Sequence, residues 1–285
     1  MRVHIAEACG FCYGVRRAVE LASTAEKGTH TLGPIIHNPQ LVNSLSARGV
    51  SPVDSLQDVA DGSKVLIRSH GVGPHVYEEA EAKHLDVVDA TCPHVKKAQQ
   101  DARKVINDKK ALIIVGEKDH PEVISISQWG CNRAIIIDKV EEAKEIPYCE
   151  HMGVVVQTTF SQSRFKQIES VLAEKTDDLD VYMTICTATR QRQEAAVELA
   201  KKVDAMIVIG GKNSANTGRL AQVCAEQGCP TYHVETASEL NVADFRGMSD
   251  IGVTAGASTP DWIIQEVVKM MEDLQAEGTE VMSEE

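Results

Sequence analysis

Asp89-Ala90-Thr91-Cys92-Pro93-His94-Val95 is the stretch that decides how this chain is read. The apolar residues Leu85, Val87 and Val88 lead into it with strand character, and a helical pattern leaves it, so Cys92 sits on a strand-to-helix hinge. Two further cysteines occupy similar settings. Cys12 lies in Gly10-Phe11-Cys12-Tyr13-Gly14 just ahead of a helix, and Cys186 follows the strand-like residues 181–185. The reading is of three thiolates, one from each of three lobes, converging on one metal centre.

Working outward, the chain repeats one unit: a short β-branched strand, a polar or glycine-bearing loop, then an amphipathic helix. Strands are expected at residues 3–6, 64–68, 85–88, 111–115, 134–137, 153–156, 181–185, 205–209 and 251–253. Helices are expected at 15–26, 39–47, 95–108, 161–174, 190–202, 217–226 and 261–272. Alternation at this rhythm implies parallel α/β sheets whose buried strands read as continuous apolar runs. The three cysteines stand 80 and 94 residues apart, one per domain-sized piece. The expected organisation is therefore three small α/β domains, 1–92, 93–186 and 187–276, in pseudo-threefold array and without long linkers. An acidic tail, 277–285, is expected to be disordered.

Composition narrows the function. The 285 residues suffice for two or three small cores, and 43% hydrophobic with 25% charged residues is ordinary for a soluble globular protein. Aromatic residues make up only 4%, so the cores should be built from Val, Ile, Leu and Ala. No apolar run reaches the length of a membrane span, and residues 1–8 hold no signal-peptide core; a cytoplasmic location is expected. The net charge of −13, with no basic run, argues against nucleic acid as a partner. Eight cysteines in a chain without a signal point to metal ligands or reduced core residues rather than disulfides.

Polar oddities collect at the carboxyl ends of strands, where open α/β sheets bind ligands. They include His37, Ser69-His70-Gly71, His120-Pro121-Glu122, Gln157-Thr158-Thr159, Gly210-Gly211-Lys212-Asn213-Ser214 and Thr254-Ala255-Gly256-Ala257-Ser258. Each has a plain reading beside a chemical one. Cys131, Cys149, Cys224 and Cys229 are read as small core residues. The junction cysteines are either the same or ligands of an iron–sulfur cluster, and a cubane on three ligands leaves one iron open. Cys9-Gly10-Phe11-Cys12 also fits a redox C-x-x-C motif. His37, His70 and His120 are either structural, zinc ligands or hydrogen-bonding partners of a phosphate group. Glu122 is a carboxylate in the first turn of a helix, favoured there by the dipole, or a proton donor raised by burial. Thr158 relays that proton or caps the next helix. Residues 212–217 and 255–258 are anion sites at helix starts or ordinary caps.

These motifs, from Gly10-Phe11-Cys12 through His37-Asn38, Asp89-Ala90-Thr91-Cys92-Pro93, His120-Pro121-Glu122-Val123 and Ile185-Cys186 to Val253–Ser258, resemble the 4-hydroxy-3-methylbut-2-enyl diphosphate reductase family in order and spacing. The resemblance spans residues 10 to about 274. It implies three α/β domains around one [4Fe–4S] cluster bound by Cys12, Cys92 and Cys186, with one open iron. It implies that His37, His70, His120, Ser214, Asn216 and Ser258 hold a diphosphate, with Glu122 the proton source, Thr158 its relay and His120 beside them. The implied reaction is reductive dehydroxylation of the allylic substrate to isopentenyl and dimethylallyl diphosphate, with electrons from a ferredoxin or flavodoxin. Two departures stand out: Ala215 replaces the second serine of the family's Asn-Ser-Ser-Asn, and Cys9, read as a non-ligand, lies outside the pattern. The competing classes are an electron carrier or redox sensor, and a zinc-dependent hydrolase.

Overall fold

The computed structural model describes residues 1–281, with side chains through residue 274. In chain order the elements open with β1 (Arg2–Ile5) and α1 (Tyr13–Ser23). A first set follows: β2 (His30–Leu32), α2 (Pro39–Ala47), β3 (Ser51–Val53), β4 (Lys64–Ile67), α3 (Pro74–Ala82), β5 (Asp86–Asp89) and α4 (Pro93–Asn107). A second set is β6 (Ala111–Val115), α5 (Pro121–Trp129), β7 (Ile135–Ile137), α6 (Val140–Glu145), β8 (His151–Val156), α7 (Gln162–Ala173), β9 (Asp178–Tyr182) and α8 (Thr187–Ala200). The third is β10 (Ala205–Ile209), α9 (Ala215–Ala225), β11 (Thr231–Val234), β12 (Asp250–Ala255) and α10 (Asp261–Val281). Of the expected tail, residues 282–285 lie outside the described residues.

Three four-stranded sheets result, ordered β3-β2-β4-β5, β7-β6-β8-β9 and β11-β10-β12-β1, and every pairing in them is parallel. Numbered within its own set, each sheet has the order 2-1-3-4. The third set is circularly permuted, because its fourth strand is β1, from the other end of the chain, in register from Arg2 opposite Asp250 to Ile5 opposite Val253. Three parallel α/β units of one topology thus replace what the sequence left as a suspicion.

By contacts the chain falls into two compact units: residues 1–12, 37–41 and 187–285 in one, and 13–36 with 42–186 in the other. The first contains the permuted sheet. Its core joins Ile207, Ile209, Ile251 and Val253 to Ile263, Val267 and Met271 of α10. The second contains the other two sheets. In it β6 and β8 are buried on both faces, with Ile113, Val115, Val154 and Val156 packed on Phe165, Ile168 and Leu172 of α7. Burial on both faces is why these strands are unbroken apolar runs. A Cβ at Gly153 of β8 would come within 2.5 Å of Val105, so this glycine lets α4 lie directly on the sheet.

Several expectations are corrected. The strand before Cys186 is Asp178–Tyr182 and not 181–185, because its ladder with β8 ends at Tyr182. Thr184 then leaves the ladder, and its hydroxyl accepts from the Val156 amide at 2.9 Å. Cys131 is not a core residue; it is exposed, at φ 56° in the turn after α5. Cys224 and Cys229 are buried in the packing of α8, α9 and β10. Cys149 is half-buried against the core of the second set.

Candidate active site

Equivalent loops of the three sets hold nearly all the candidate residues. Each fourth strand leads to one of the cysteines, and the next residue begins a helix: Cys12 before α1, Cys92 before α4, Cys186 before α8. The same backbone hydrogen bond holds each one. The amide of Cys92 donates to Ser69 O (2.9 Å), that of Cys186 to Thr158 O (3.0 Å) and that of Cys12 to Ala257 O (3.3 Å). The three acceptors lie in the loops after the third strands. No other cysteine among the described residues has this setting.

Loops after the first strands lead into α2, α5 and α9, each with a side-chain cap. Asn38 Oδ1 accepts from the Leu41 amide (2.8 Å), His120 Nδ1 from the Glu122 amide (3.1 Å) and Ser214 Oγ from the Thr217 amide (3.4 Å). The second helical residue is in turn Gln40, Glu122 and Asn216. His37 precedes the first cap; its carbonyl accepts a hydrogen bond from Ser258 Oγ at 3.2 Å. Both amide atoms of Asn216 lack a hydrogen-bond partner although the residue is only 6% exposed. Leaving a buried amide unpaired costs roughly 1–3 kcal/mol, which makes Asn216 a candidate for pairing with a ligand.

Within the unit that contains the first two sheets, the candidates form a connected path. The amide of Cys92 bonds Ser69, the neighbour of His70. The His70 and His120 rings meet edge to face with centroids 5.5 Å apart. His120 accepts from Glu122 through Nδ1, which leaves Nε2 to carry the ring proton as a donor. The Glu122 carboxyl accepts from Thr158 twice, from its amide at Oε1 (2.6 Å) and from its hydroxyl at Oε2 (2.8 Å). Thr158 O then holds Cys186. The cap of α7 is Ser161, so Thr158 is not the cap residue.

Glu122 is 2% exposed. Burial, opposed by the two bonds from Thr158 and aided by Glu117, pushes its carboxyl up to about 7 from an ordinary 4.5. It is therefore partly protonated at neutral pH, and a proton on Oε2 can pass to the Thr158 hydroxyl as that hydroxyl gives up its own.

A group held by three thiolates fits these residues. Sulfur donors suit iron–sulfur clusters. Each cysteine stands at a helix N-terminus, whose partial positive charge favours an anionic ligand. Space is reserved as well: a Cβ at Gly14 would sit 2.4 Å from Cys92 Sγ. Gly14 stands in the Gly-Phe-Cys-Tyr-Gly motif, yet this role is not legible there, because its neighbour lies 78 residues away. Also unforeseen are Gln99 and Ser125, joined by a buried 2.6 Å hydrogen bond. They pack against Gly71, which turns the His70 loop at φ +72°. Cys9 packs instead on the core that includes α10 and β12, where burial pushes its thiol up to about 11.

Comparison with known proteins agrees with this architecture. The family model described as LytB protein matches residues 3–272. The 4-hydroxy-3-methylbut-2-enyl diphosphate reductase of Pelobacter propionicus is 47% identical over 271 residues, 94% of this chain and 96% of that protein. Among solved structures, the E-1-hydroxy-2-methyl-but-2-enyl-4-diphosphate reductase of Plasmodium falciparum superposes with a TM-score of 0.90 at 27% identity, over 94% of this chain and 87% of that one. A second, described as (E)-4-hydroxy-3-methyl-but-2-enyl diphosphate reductase, the terminal enzyme of the non-mevalonate pathway, is 43% identical. It covers 96% of this chain and all of its own, with a TM-score of 0.69. With residues 3–272 of its 285 matched by the family model, the chain belongs to the LytB family, that of these reductases.

Proposed function

We propose that this chain reductively removes the hydroxyl of 4-hydroxy-3-methylbut-2-enyl diphosphate, giving isopentenyl and dimethylallyl diphosphate. The observation that carries the reading is the threefold recurrence of one cysteine position, after the fourth strand, before a helix and on the same amide bond. Cys12, Cys92 and Cys186 would hold a [4Fe–4S] cluster, which when bound supplies electrons singly and an open iron for the substrate's hydroxyl.

The rest is done by this chain's own side chains. His37, His70, His120, Ser214, Asn216 and Ser258 hold the diphosphate, from the loops after first and third strands and, for Asn216, from the first turn of α9. None is a lysine or arginine, so the anion is met by N–H and O–H donors and by the starts of helices. His120 offers Nε2–H, and Asn216 offers the amide that nothing else pairs. Remote binding of this kind orients the reacting carbon. Glu122 supplies a proton at its carboxyl, and Thr158 hands it on. In sum R–OH, two electrons and two protons give R–H and water. Protonation at either end of the allylic system yields the two products.

The test is anaerobic purification, assay of iron and acid-labile sulfide per chain, and turnover of the diphosphate substrate with a viologen reductant. Brown protein with about four irons per chain and conversion to both products is expected. Colourless protein that is active in air and yields neither reduced product would return the reading to a zinc hydrolase. A loaded cluster whose spectrum ignores the substrate would return it to an electron carrier.

A further inference from the structure

We propose that Arg192 and Arg17 brace two of the three cysteine loops and, as fixed positive charges beside them, raise the reduction potential of the group that Cys12, Cys92 and Cys186 would hold. The proposal deepens the reductase reading above and rests on it, because only a chain that binds that group has a potential to set.

The first observation is a buried cation with no anion to match it. Arg192 lies on the buried face of α8 with Thr189, Ala196 and Ala200, six residues after Cys186, and is only 6% exposed. A guanidinium does not lose its proton in proteins, so a full charge sits there. Its hydrogen bonds all end on carbonyls. Nε and Nη2 both donate to Gly10 O, at 3.2 and 2.7 Å, and Nη1 donates to Ala188 O at 3.0 Å. No carboxylate forms an ion pair with it among the described residues. Taking a charge out of water without a counter-ion is costly, and carbonyl dipoles offset only part of that cost. The uncompensated charge is aimed at one place. Gly10 stands two residues before Cys12, where the loop turns at φ +76°. The field is felt there: Arg192 favours the thiolate of neighbouring Cys9 against the burial that opposes it.

The second observation is that the device recurs in the other compact unit. Arg17 of α1, five residues after Cys12, donates to the carbonyls of Asp89 (3.1 Å) and Thr91 (3.5 Å), three residues and one residue before Cys92. The Asp89 carboxylate itself is taken by Lys96 and the Tyr77 hydroxyl. Twice, then, the helix after one cysteine braces the loop before another, and each time with an arginine. Bracing alone does not need a charge. Ahead of Cys186 the neutral Thr184 hydroxyl does it, accepting from the Val156 amide at 2.9 Å. The charge at the other two loops therefore has a further use, which is to balance thiolates. Each electron that the bound group accepts adds a negative charge, and a fixed cation nearby lowers the cost of that step. In that step an external one-electron donor is oxidised, the bound group is reduced, and no bond of the protein changes.

The test is a potentiometric titration of the cluster-loaded chain under nitrogen, mediated by viologens and read by the electron paramagnetic resonance of the reduced cluster. Iron per chain is measured alongside. Arg192→Gln keeps a donor for Gly10 O and loses the charge; Arg192→Lys keeps the charge and loses the fork. In Arg192→Gln the ratio of reduced to oxidised cluster at a fixed potential is expected to fall about tenfold, a shift of ~59 mV to lower potential for one electron. Arg192→Lys is expected to titrate near the parent while retaining less iron. Arg17 is only half-buried, so water screens it, and Arg17→Gln is expected to lower the ratio about threefold. The potential is read on the loaded fraction, so partial loss of iron does not obscure it, and a merely structural arginine would change iron per chain alone. A parental potential in loaded Arg192→Gln overturns the proposal, and so does an equal shift in Arg192→Lys. Failure of both Arg192 variants to bind iron also overturns it, by making the residue a structural brace only. Iron bound by Arg192→Lys and not by Arg192→Gln supports it. If the parent itself binds no iron, the reductase reading has failed and the proposal falls with it.

Discussion

Replacing Glu122 by Gln tests the site at its most distinctive group. Gln has the shape of the protonated acid, and its amide can keep both contacts to Thr158 if the Thr158 hydroxyl turns to accept. What the substitution removes is ionisation. Each tenfold change in acidity corresponds to about 1.4 kcal/mol. Holding the carboxyl at about 7 in place of 4.5 therefore costs the folded chain about 3 kcal/mol once it is ionised. The sign follows from the raised value. Below pH 4.5 the group is protonated folded and unfolded, and nothing is lost. From 4.5 to 7 stability falls, and above 7 the deficit is constant. The variant carries no such deficit, so its stability advantage should open between pH 4.5 and 7 and level off near that value. Two measurements check this. The infrared band of a protonated carboxyl, present in the parent and absent in the variant, should fade with a midpoint near pH 7. Anaerobic urea unfolding at equal cluster content should show the growing gap. In turnover the parent should slow as pH rises past 7, and the variant should lose about 10²-fold or more at every pH. A midpoint near 4.5, or a gap that does not change with pH, would refute the assignment of Glu122 as a buried acid.

The other predictions are more local. Cys92→Ser should deplete iron and sulfide per chain and leave the secondary structure, read by circular dichroism, intact; a fully loaded variant would remove Cys92 from the ligand set. Gly14→Ala should also lower iron per chain, through the 2.4 Å approach of its new Cβ to Cys92 Sγ, and normal loading would show that the thiol can move aside. Asn216→Ala should raise KM for the diphosphate substrate about tenfold without lowering stability, because the amide it removes has no partner in the protein. Phe165→Ala, in the fully buried face of α7, should cost about 3–5 kcal/mol in urea unfolding.

Much of the fold was legible because its central strands are covered on both faces. Residues 111–115 and 205–209 were read at their true bounds for that reason. Short strands escaped: His30–Leu32, Ser51–Val53 and Thr231–Val234 have three or four residues, too few for a periodic signal. The helix Val140–Glu145 is almost wholly charged and shows no apolar stripe. The permutation was invisible for another reason. Nothing in Arg2–Ile5 announces that its partner is Asp250–Ala255, since a parallel ladder is a long-range choice. In the site, types and places of residues could be read from loops at strand ends. Their partners could not, as the Glu122–Thr158 and Gly14–Cys92 contacts join distant segments.

The repeat also sets one acid against two amides at equivalent positions. The second residue of α2, α5 and α9 is Gln40, Glu122 and Asn216. Two are neutral amides, which suit a helix start offered to an anion. A carboxyl in that position is compatible with a diphosphate only while it is protonated, because two anions at close range in a poorly solvated site repel by several kcal/mol. Burial already keeps Glu122 near neutrality, and an arriving diphosphate would raise its proton affinity further. On the function proposed above, substrate binding and proton loading would be coupled: the anion to be reduced would drive onto Glu122 the proton that the reaction consumes. A direct consequence is proton uptake on binding above pH 7, abolished in Glu122→Gln and absent if the acid stands apart from the anion.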